Sequence, residues 1–233
     1  MDWDTTTVPD GAHVIKATVF DTAGNSINAT PITVYVDNTP PDFTLEAEKT
    51  GLVSGSVWFN ATGFAPDENV EKVVFQLKPS GGNRIHLATI TQGYDGDYIY
   101  VLDTTEYPDG EYYRVYATAY DHVGNKVEKY RVIHIDNTPP SVTIESPSPG
   151  SVLEGTIEIN FTVTDAHLTD QGYVIIDGTE CTATETSSGH FLYLWDSTTT
   201  YDGAHYIVAK AIDEAGNIGY SMPIMVSTDN VDE

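Results

Sequence analysis

The sequence predicts an all-β protein made of consecutive two-sheet sandwiches. Three observations carry that expectation. Apolar residues alternate with polar ones along short runs, clusters of Gly, Pro, Asp and Asn separate the runs, and no sustained helical period intervenes. One sentence is also written three times: "WDTTTVPDGAHVIKATVFDTAGN" at 3–25, "LDTTEYPDGEYYRVYATAYDHVGN" at 102–125 and "WDSTTTYDGAHYIVAKAIDEAGN" at 195–217. The turn aspartates Asp10 and Asp109 lie 99 residues apart, and Asp109 and Asp202 lie 93 apart, the length of one small sandwich.

Within each copy the Asp-Gly pair supplies a tight turn, because glycine tolerates positive φ. An alternating run follows. In the first copy His13, Ile15, Ala17 and Val19 share one face while Val14, Lys16 and Thr18 share the other, the pattern of a half-buried strand. Ala-Gly-Asn or Val-Gly-Asn then turns the chain, and a second run returns through Val34 and Val36. These are closing strands of a sandwich. Opening strands are visible in the later copies: Val57, Phe59 and Ala61 inward, then Val73, Phe75 and Leu77, and in the last copy Ile157, Ile159, Phe161 and Val163.

"VDNTPP" at 36–41 and "IDNTPP" at 135–140 follow two of the returning runs. Paired prolines remove backbone donors and hold the chain extended, so each copy ends one sandwich and starts the next through a short, stiff joint. Three domains are expected: 1–38, holding closing strands only, and 39–137 and 138–233, each complete. An isolated hairpin with an apolar face is marginal in water. Residues 2–37 are therefore expected to be covered by a neighbouring module or by another copy of the chain, with the natural protein continuing upstream.

The repeat, its two relatives and the Asp-Asn-Thr-Pro-Pro joint resemble the bacterial and archaeal Ig-like (fibronectin-III-like) modules strung along extracellular surface proteins and beside extracellular hydrolases. The resemblance covers almost the whole chain. It implies tandem Ig-like β-sandwiches outside the cell or on its surface, and a non-catalytic stalk, spacer or adhesive array. The other reading it allows is an accessory module that binds substrate or carbohydrate for an attached hydrolase. Fold alone does not choose between them.

Charge narrows the partners. The chain has 233 residues, with 35 Asp plus Glu against 10 Lys plus Arg, a formal net charge of -25. Such a surface repels phosphate backbones and anionic lipid heads, so nucleic acid is not expected as a partner, and no apolar run is long enough for membrane insertion. Cys181 is the single cysteine, so no intrachain disulfide forms; it reads as a small half-buried strand residue.

No catalytic motif is present. The His-Glu-x-x-His pair, the Gly-x-Ser-x-Gly elbow, the phosphate loop and paired-cysteine zinc spacings are all missing, so no enzyme is expected. His13 and His205 occupy a position that the second repeat fills with Tyr112 or Tyr113, so they read as corner residues whose polar tips bond backbone. Trp3 and Trp195, aligned with Leu102, read as core plugs.

Calcium is the cofactor named by the joint. Asp37-Asn38 and Asp136-Asn137 lie there, and Asp121 and Asn125 on a hairpin offer further oxygens, as do Asp21, Asn25, Asp213 and Asn217; hard cations need several such ligands. The competing reading is that these residues cap strand ends and form turns through their own backbone. Asn28, Asn60 and Asn160 head Asn-x-Thr acceptors for glycosylation, Asn60 and Asn160 on the outward side of matching strands. Tyr94, Tyr98, Tyr100, Tyr116, Tyr120 and Tyr193 are expected on exposed faces, where rings serve protein or glycan ligands or simply suit a strand.

Overall fold

The computed structural model describes residues 2–65 and 69–230; the outermost residues of the first and last expected domains, Met1 and 231–233, lie outside them. The described residues form strands and three short 3-10 turns, with no α-helix. The first repeat contributes β1 (Gly11–Ile15), β2 (Thr18–Phe20), β3 (Ser26–Asn28) and β4 (Ile32–Val36). The second contributes β5 (Thr44–Ala47), β6 (Gly51–Val53), β7 (Ser56–Thr62), β8 (Val70–Pro79), β9 (Ile85–Ile90), β10 (Tyr98–Asp103), β11 (Tyr112–Asp121) and β12 (Lys126–Ile135). The third contributes β13 (Ser141–Ser146), β14 (Val152–Leu153), β15 (Thr156–Thr164), β16 (Leu168–Ile176), β17 (Thr179–Thr182), β18 (Thr184–Ser187), β19 (His190–Asp196), β20 (Gly203–Asp213), β21 (Ile218–Tyr220) and β22 (Ile224–Thr228).

By its internal contacts the chain divides into two compact units, one of residues 1–48, 58–101 and 114–131, the other of 49–57, 102–113 and 132–233. The first unit holds the hairpins β1–β4 and β2–β3, with Gly11 opposite Val36 and Val19 opposite Ile27. It also holds the pairing of β5 with β7 and of β8 with β9, both antiparallel. Val73, Phe75 and Leu77 are fully buried, as their alternation requires.

The second unit contains the whole third repeat. Its sheets run β13-β15-β19-β18 and β14-β22-β20-β16-β17, with β21 beside β20 and β14 parallel to β22. Ile157, Ile159, Phe161 and Val163 of one sheet and Val174, Ile207, Ala209, Ala211 and Val226 of the other form one core. Trp195 closes it, 5% exposed. Gly219 on β21 sits against Pro140: a Cβ there would overlap the proline carbonyl oxygen.

Each Asp-x-x-Gly-Asn hairpin is built alike. Asp121 Oδ1 accepts from the backbone N–H of Gly124 at 2.7 Å and Asn125 at 2.9 Å, and Asp213 Oδ1 from Gly216 at 2.7 Å and Asn217 at 2.8 Å. Gly24, Gly124 and Gly216 have φ of 91°, 99° and 101°, which L-residues with side chains avoid.

The first repeat departs from the pattern in what covers it. Trp3 is 42% exposed and Val19 65%, although their counterparts Trp195 and Ala211 are buried. The core-plug expectation therefore holds for Trp195 and Leu102 and is corrected for Trp3, whose hairpin faces no second sheet among the described residues.

The outward placement of Asn60 is also corrected. Asn60 is buried at 8% on β7, the central strand of the sheet β10-β7-β5, and its Oδ1 has no hydrogen-bond partner among the described residues. Of the six named tyrosines only Tyr94 is exposed. Tyr98 packs edge-on against Phe64, Tyr100 stacks on Phe75, and Tyr116 lies under the Arg84 guanidinium, 3.9 Å from its ring centre. Alternation along β10 itself sets Tyr98 and Tyr100 on the inward face with Leu102, whereas Tyr116 faces the other way from Val115 and Ala117 and is covered by Arg84 and Tyr130. Cys181 is half-buried on β17, opposite Val174.

Candidate functional site

The chemistry of the chain gathers at the Asp-Asn joints, and each joint begins with its asparagine. Asn137 Nδ2 donates to the Thr104 carbonyl at 3.1 Å and to Asp109 Oδ1 at 3.0 Å, while Asn137 Oδ1 accepts from Thr104 Oγ1 at 2.8 Å and from Gly55 N–H at 3.2 Å. Both ends of one amide are thus spent on fastening the last strand to the turn before β11. Asn230 repeats the device with Ser197, Asp202 and Gly155. In the first repeat Asn38 Nδ2 donates to the Thr5 carbonyl at 3.0 Å, and Asp10 Oδ1 accepts from Asn38 N–H at 2.7 Å.

The turn aspartate binds the joint threonine as well. Asp109 Oδ2 accepts from Thr138 Oγ1 at 2.6 Å, and Asp10 accepts likewise from Thr39. These bonds favour the ionised carboxylate. At Asp10 the Thr39 hydroxyl and the Asn38 amide hold the pKa below the ordinary aspartate value; at Asp109 burial pushes upward, and the Thr138 and Asn137 bonds outweigh it.

The joint aspartates act through their backbone. Asp37 O accepts from Asn125 Nδ2 at 3.0 Å, and Asp136 O accepts from Asn217 Nδ2 at 2.8 Å, each asparagine steadied by its hairpin aspartate. The first of these contacts lies within the first unit and the second within the second. Asp37 and Asp136 also cap Thr39 and Thr138 through their side chains, both at 3.2 Å. The structure thus brings Asp37, Asp121 and Asn125 together, and separately Asp136, Asp213 and Asn217. Asn38 and Asn137 point back into their own repeats.

One joint aspartate has further neighbours. Asp136 Oδ2 lies 2.7 Å from His167 Nδ1, and the His167 N–H donates to Asp165 Oδ1 at 2.7 Å. Ligand-type atoms of Asp136, Asp165 and His167 fall within 4.8 Å of one another. They line an open cleft of about 580 Å³ with Asp109, Thr138 and Thr164. His134 stacks on Tyr112 with centroids 4.4 Å apart and meets His167 edge-on at 5.6 Å; its buried Nε2 finds no hydrogen-bond partner among the described residues. Asp165 and His167 escape sequence reasoning because they come from the turn after β15, far along the chain from the Asp-Asn pair. They sit in "TDAH" at 164–167, outside the three repeated stretches, so the repeats give no signal for them.

The corner residues behave as the sequence predicts. His13 Nε2 lies 2.7 Å from the Pro9 carbonyl, Tyr113 donates its hydroxyl to Pro108 O at 3.2 Å, and His205 Nε2 lies 2.9 Å from Tyr201 O. Tyr113, not Tyr112, fills the corner in the second repeat. Fully buried, His205 also bonds Asp177 through Nδ1 at 2.6 Å. Of the glycosylation acceptors, Asn28 is exposed and takes a 2.7 Å bond from Thr18, and Asn160 is half-buried beside Ser146.

With the repeated sandwich and its joints described, sequence profiles assign the family. The bacterial Ig domain matches residues 140–209, and the bacterial Ig-like domain of group 3 matches residues 1–62. These are tandem bacterial Ig-like domains. Solved structures agree on the fold. The fibronectin(III)-like modules of Clostridium thermocellum CbhA superpose with a TM-score of 0.50 at 17% identity, over 81% of this chain and 94% of theirs. The FN1–FN3 domains of chicken CNTN1 give 0.52 at 14% identity, over 94% of this chain and 76% of theirs. No curated protein matches the sequence. Bacterial Ig-like domains serve as structural or adhesive modules and are generally non-catalytic. No helix among the described residues is long and apolar enough to cross a membrane.

Proposed function

We propose that these Ig-like domains form a stalk or spacer of an extracellular protein, in which stiff joints set the reach of whatever the array carries. The observation that carries this reading is the repeated joint. The same asparagine amide, turn carboxylate and hairpin asparagine meet at Asp37 and again at Asp136, leaving few backbone groups free to swing. The family is typically extracellular, and the acidic surface suits a soluble display. Partners then are neighbouring modules, with protein or glycan ligands met along the array.

The test is a distance distribution. Spin labels at Glu106 and Thr179, both exposed, flank the joint inside the second unit once Cys181 is replaced by serine. A narrow distribution that broadens in Asn217→Ala supports a stiff joint; a broad one in the parent chain refutes it.

A second reading concerns cations. It is favoured by the convergence of Asp136, Asp165 and His167, whereas the oxygens of Asp121 and Asn137 are engaged in hydrogen bonds. We propose that a divalent cation binds at these three groups, displacing the His167 to Asp136 hydrogen bond. Calorimetric titration with calcium and with zinc separates hard from borderline ions. Heat that vanishes in Asp165→Asn supports the site, and absence of heat for both ions removes it.

A further inference from the structure

The first repeat carries the same closing strands as the third, yet stands open. Residues 3–25 align without a gap on 195–217. Ile15 is 39% exposed where Ile207 is fully buried, Val19 is 65% exposed where Ala211 is 2%, and Ile32 is 57% exposed where Ile224 is 9%. Local structure is nevertheless preserved. Trp3 meets His13 edge-on with centroids 5.7 Å apart and planes at 73°, and Trp195 meets His205 at 5.1 Å and 74°. The closing strands have reached their folded arrangement without the surface that buries it in the third repeat.

We infer that the apolar face and free strand edge of residues 11–36 are a docking surface for a polypeptide segment carrying the opening strands of an Ig-like repeat. The third repeat shows what that segment supplies. Strand β16 runs antiparallel along β20, with Gly172 opposite Ala211 and Ile176 opposite Ile207. At the matching positions of β1 and β2, the described pairings are only to β4 and β3, so the other edge is open to a strand. The second sheet of the third repeat adds Ile159 and Phe161 over the inward face.

The third repeat also shows what an opening half adds at the corner. The corner His205 is bonded at Nδ1 by Asp177, which lies in the opening half of its repeat. His13 keeps the backbone bond through Nε2, and residues 2–37 hold no counterpart of β16 and the Asp177 that follows it. Opening strands of the third repeat's kind bring that carboxylate beside Nδ1, at the position Asp177 holds after β16. Burying His13 without it leaves a ring nitrogen unsatisfied. The inference deepens the array reading and rests on it for the kind of partner.

A graft tests the docking. Residues 139–194 are copied ahead of Trp3, so that Leu194 precedes Trp3 as it precedes Trp195 in the third repeat. Hydrogen exchange of the amides in 11–36 should slow by more than about a hundredfold as they enter a cooperative sheet, and Trp3 emission should shift to the blue. Ile15→Asp should abolish both changes in the grafted chain. Tyr35→Asp, on the outward face, should keep them and so controls for the effect of an added charge. Unchanged exchange in the graft overturns the proposal. So does a dimeric ungrafted chain whose 11–36 amides are already protected, since a second copy would then be the occupant. Neither outcome alters the spin-label distances across the Asp136 joint, so the stalk reading stands or falls separately.

Discussion

Residues 3–25 and 195–217 are nearly one sequence in two situations, and the contrast separates what the closing strands do alone from what burial adds. In both, aspartate builds the hairpin turn, a histidine finds the carbonyl four residues back, and tryptophan meets that histidine edge-on. None of this needs a second sheet. What differs is the core: Ile207, Ala209 and Val226 are sealed in, while Ile15, Ala17 and Val34 are not. Turn and corner chemistry is local, whereas the hydrophobic stabilisation comes from the opposing layer.

The largest effect should come from charging the inward face. Ile207→Asp buries an unpaired carboxylate and should cost about 4 kcal/mol or more, whereas Ile15→Asp should cost less than about 0.5 kcal/mol. Chemical denaturation of the two variants compares them directly. Equal losses would mean that residues 2–37 are already covered in solution.

Next comes the corner. His205→Ala removes a fully buried ring held by Asp177 and Tyr201 and should cost about 2–4 kcal/mol, against roughly 0.5 kcal/mol for His13→Ala. Thermal unfolding followed by near-UV circular dichroism reads this difference. Comparable values would show that the backbone bond, common to both, carries the energy.

The joint amide ranks third. Asn137→Ala breaks bonds to Thr104, Gly55 and Asp109 and should destabilise by about 1–3 kcal/mol, with Asn38→Ala nearer 0.5 kcal/mol. Exchange at the Gly55 amide, which donates to Asn137 Oδ1, should rise in the first variant alone.

Acid should give the smallest and most local change. The folded pKa values of Asp10 and Asp109 are depressed, so their contribution is present above the ordinary aspartate value of 3.8 and is lost as pH falls through the lower folded values. Asp109→Asn should flatten the acid limb of the stability curve, since it removes the titrating group. Asp10 is fully exposed, and solvent screens most of its effect.

Much of this was legible in the sequence, and the reasons for the rest are specific. Period-two alternation found the buried faces of β7, β8 and β15, because a strand repeats every second residue whatever its neighbours. The corner role of His13 and His205 followed from their replacement by tyrosine. Tyr98 was misplaced although alternation along β10 sets it on the face of Leu102, and Tyr116 because its cover comes from Arg84 and Tyr130, which alternation along one strand does not register. At the joint, the Asp-Asn pairs were visible but their partners were not: Asn217 comes 81 residues after the Asp136 carbonyl it serves, and Asp165 and His167 reach Asp136 from a turn that no repeat motif marks.

The contact of Gly219 with Pro140 has a consequence for how such a chain can be reshuffled. The first repeat has Ile27 at the corresponding place and the second has Val127. Exchanging hairpins by recombination among the copies would drive a branched side chain into the proline carbonyl of the preceding joint. The third hairpin is therefore not interchangeable with the other two, since its seat against Pro140 leaves no room for a side chain.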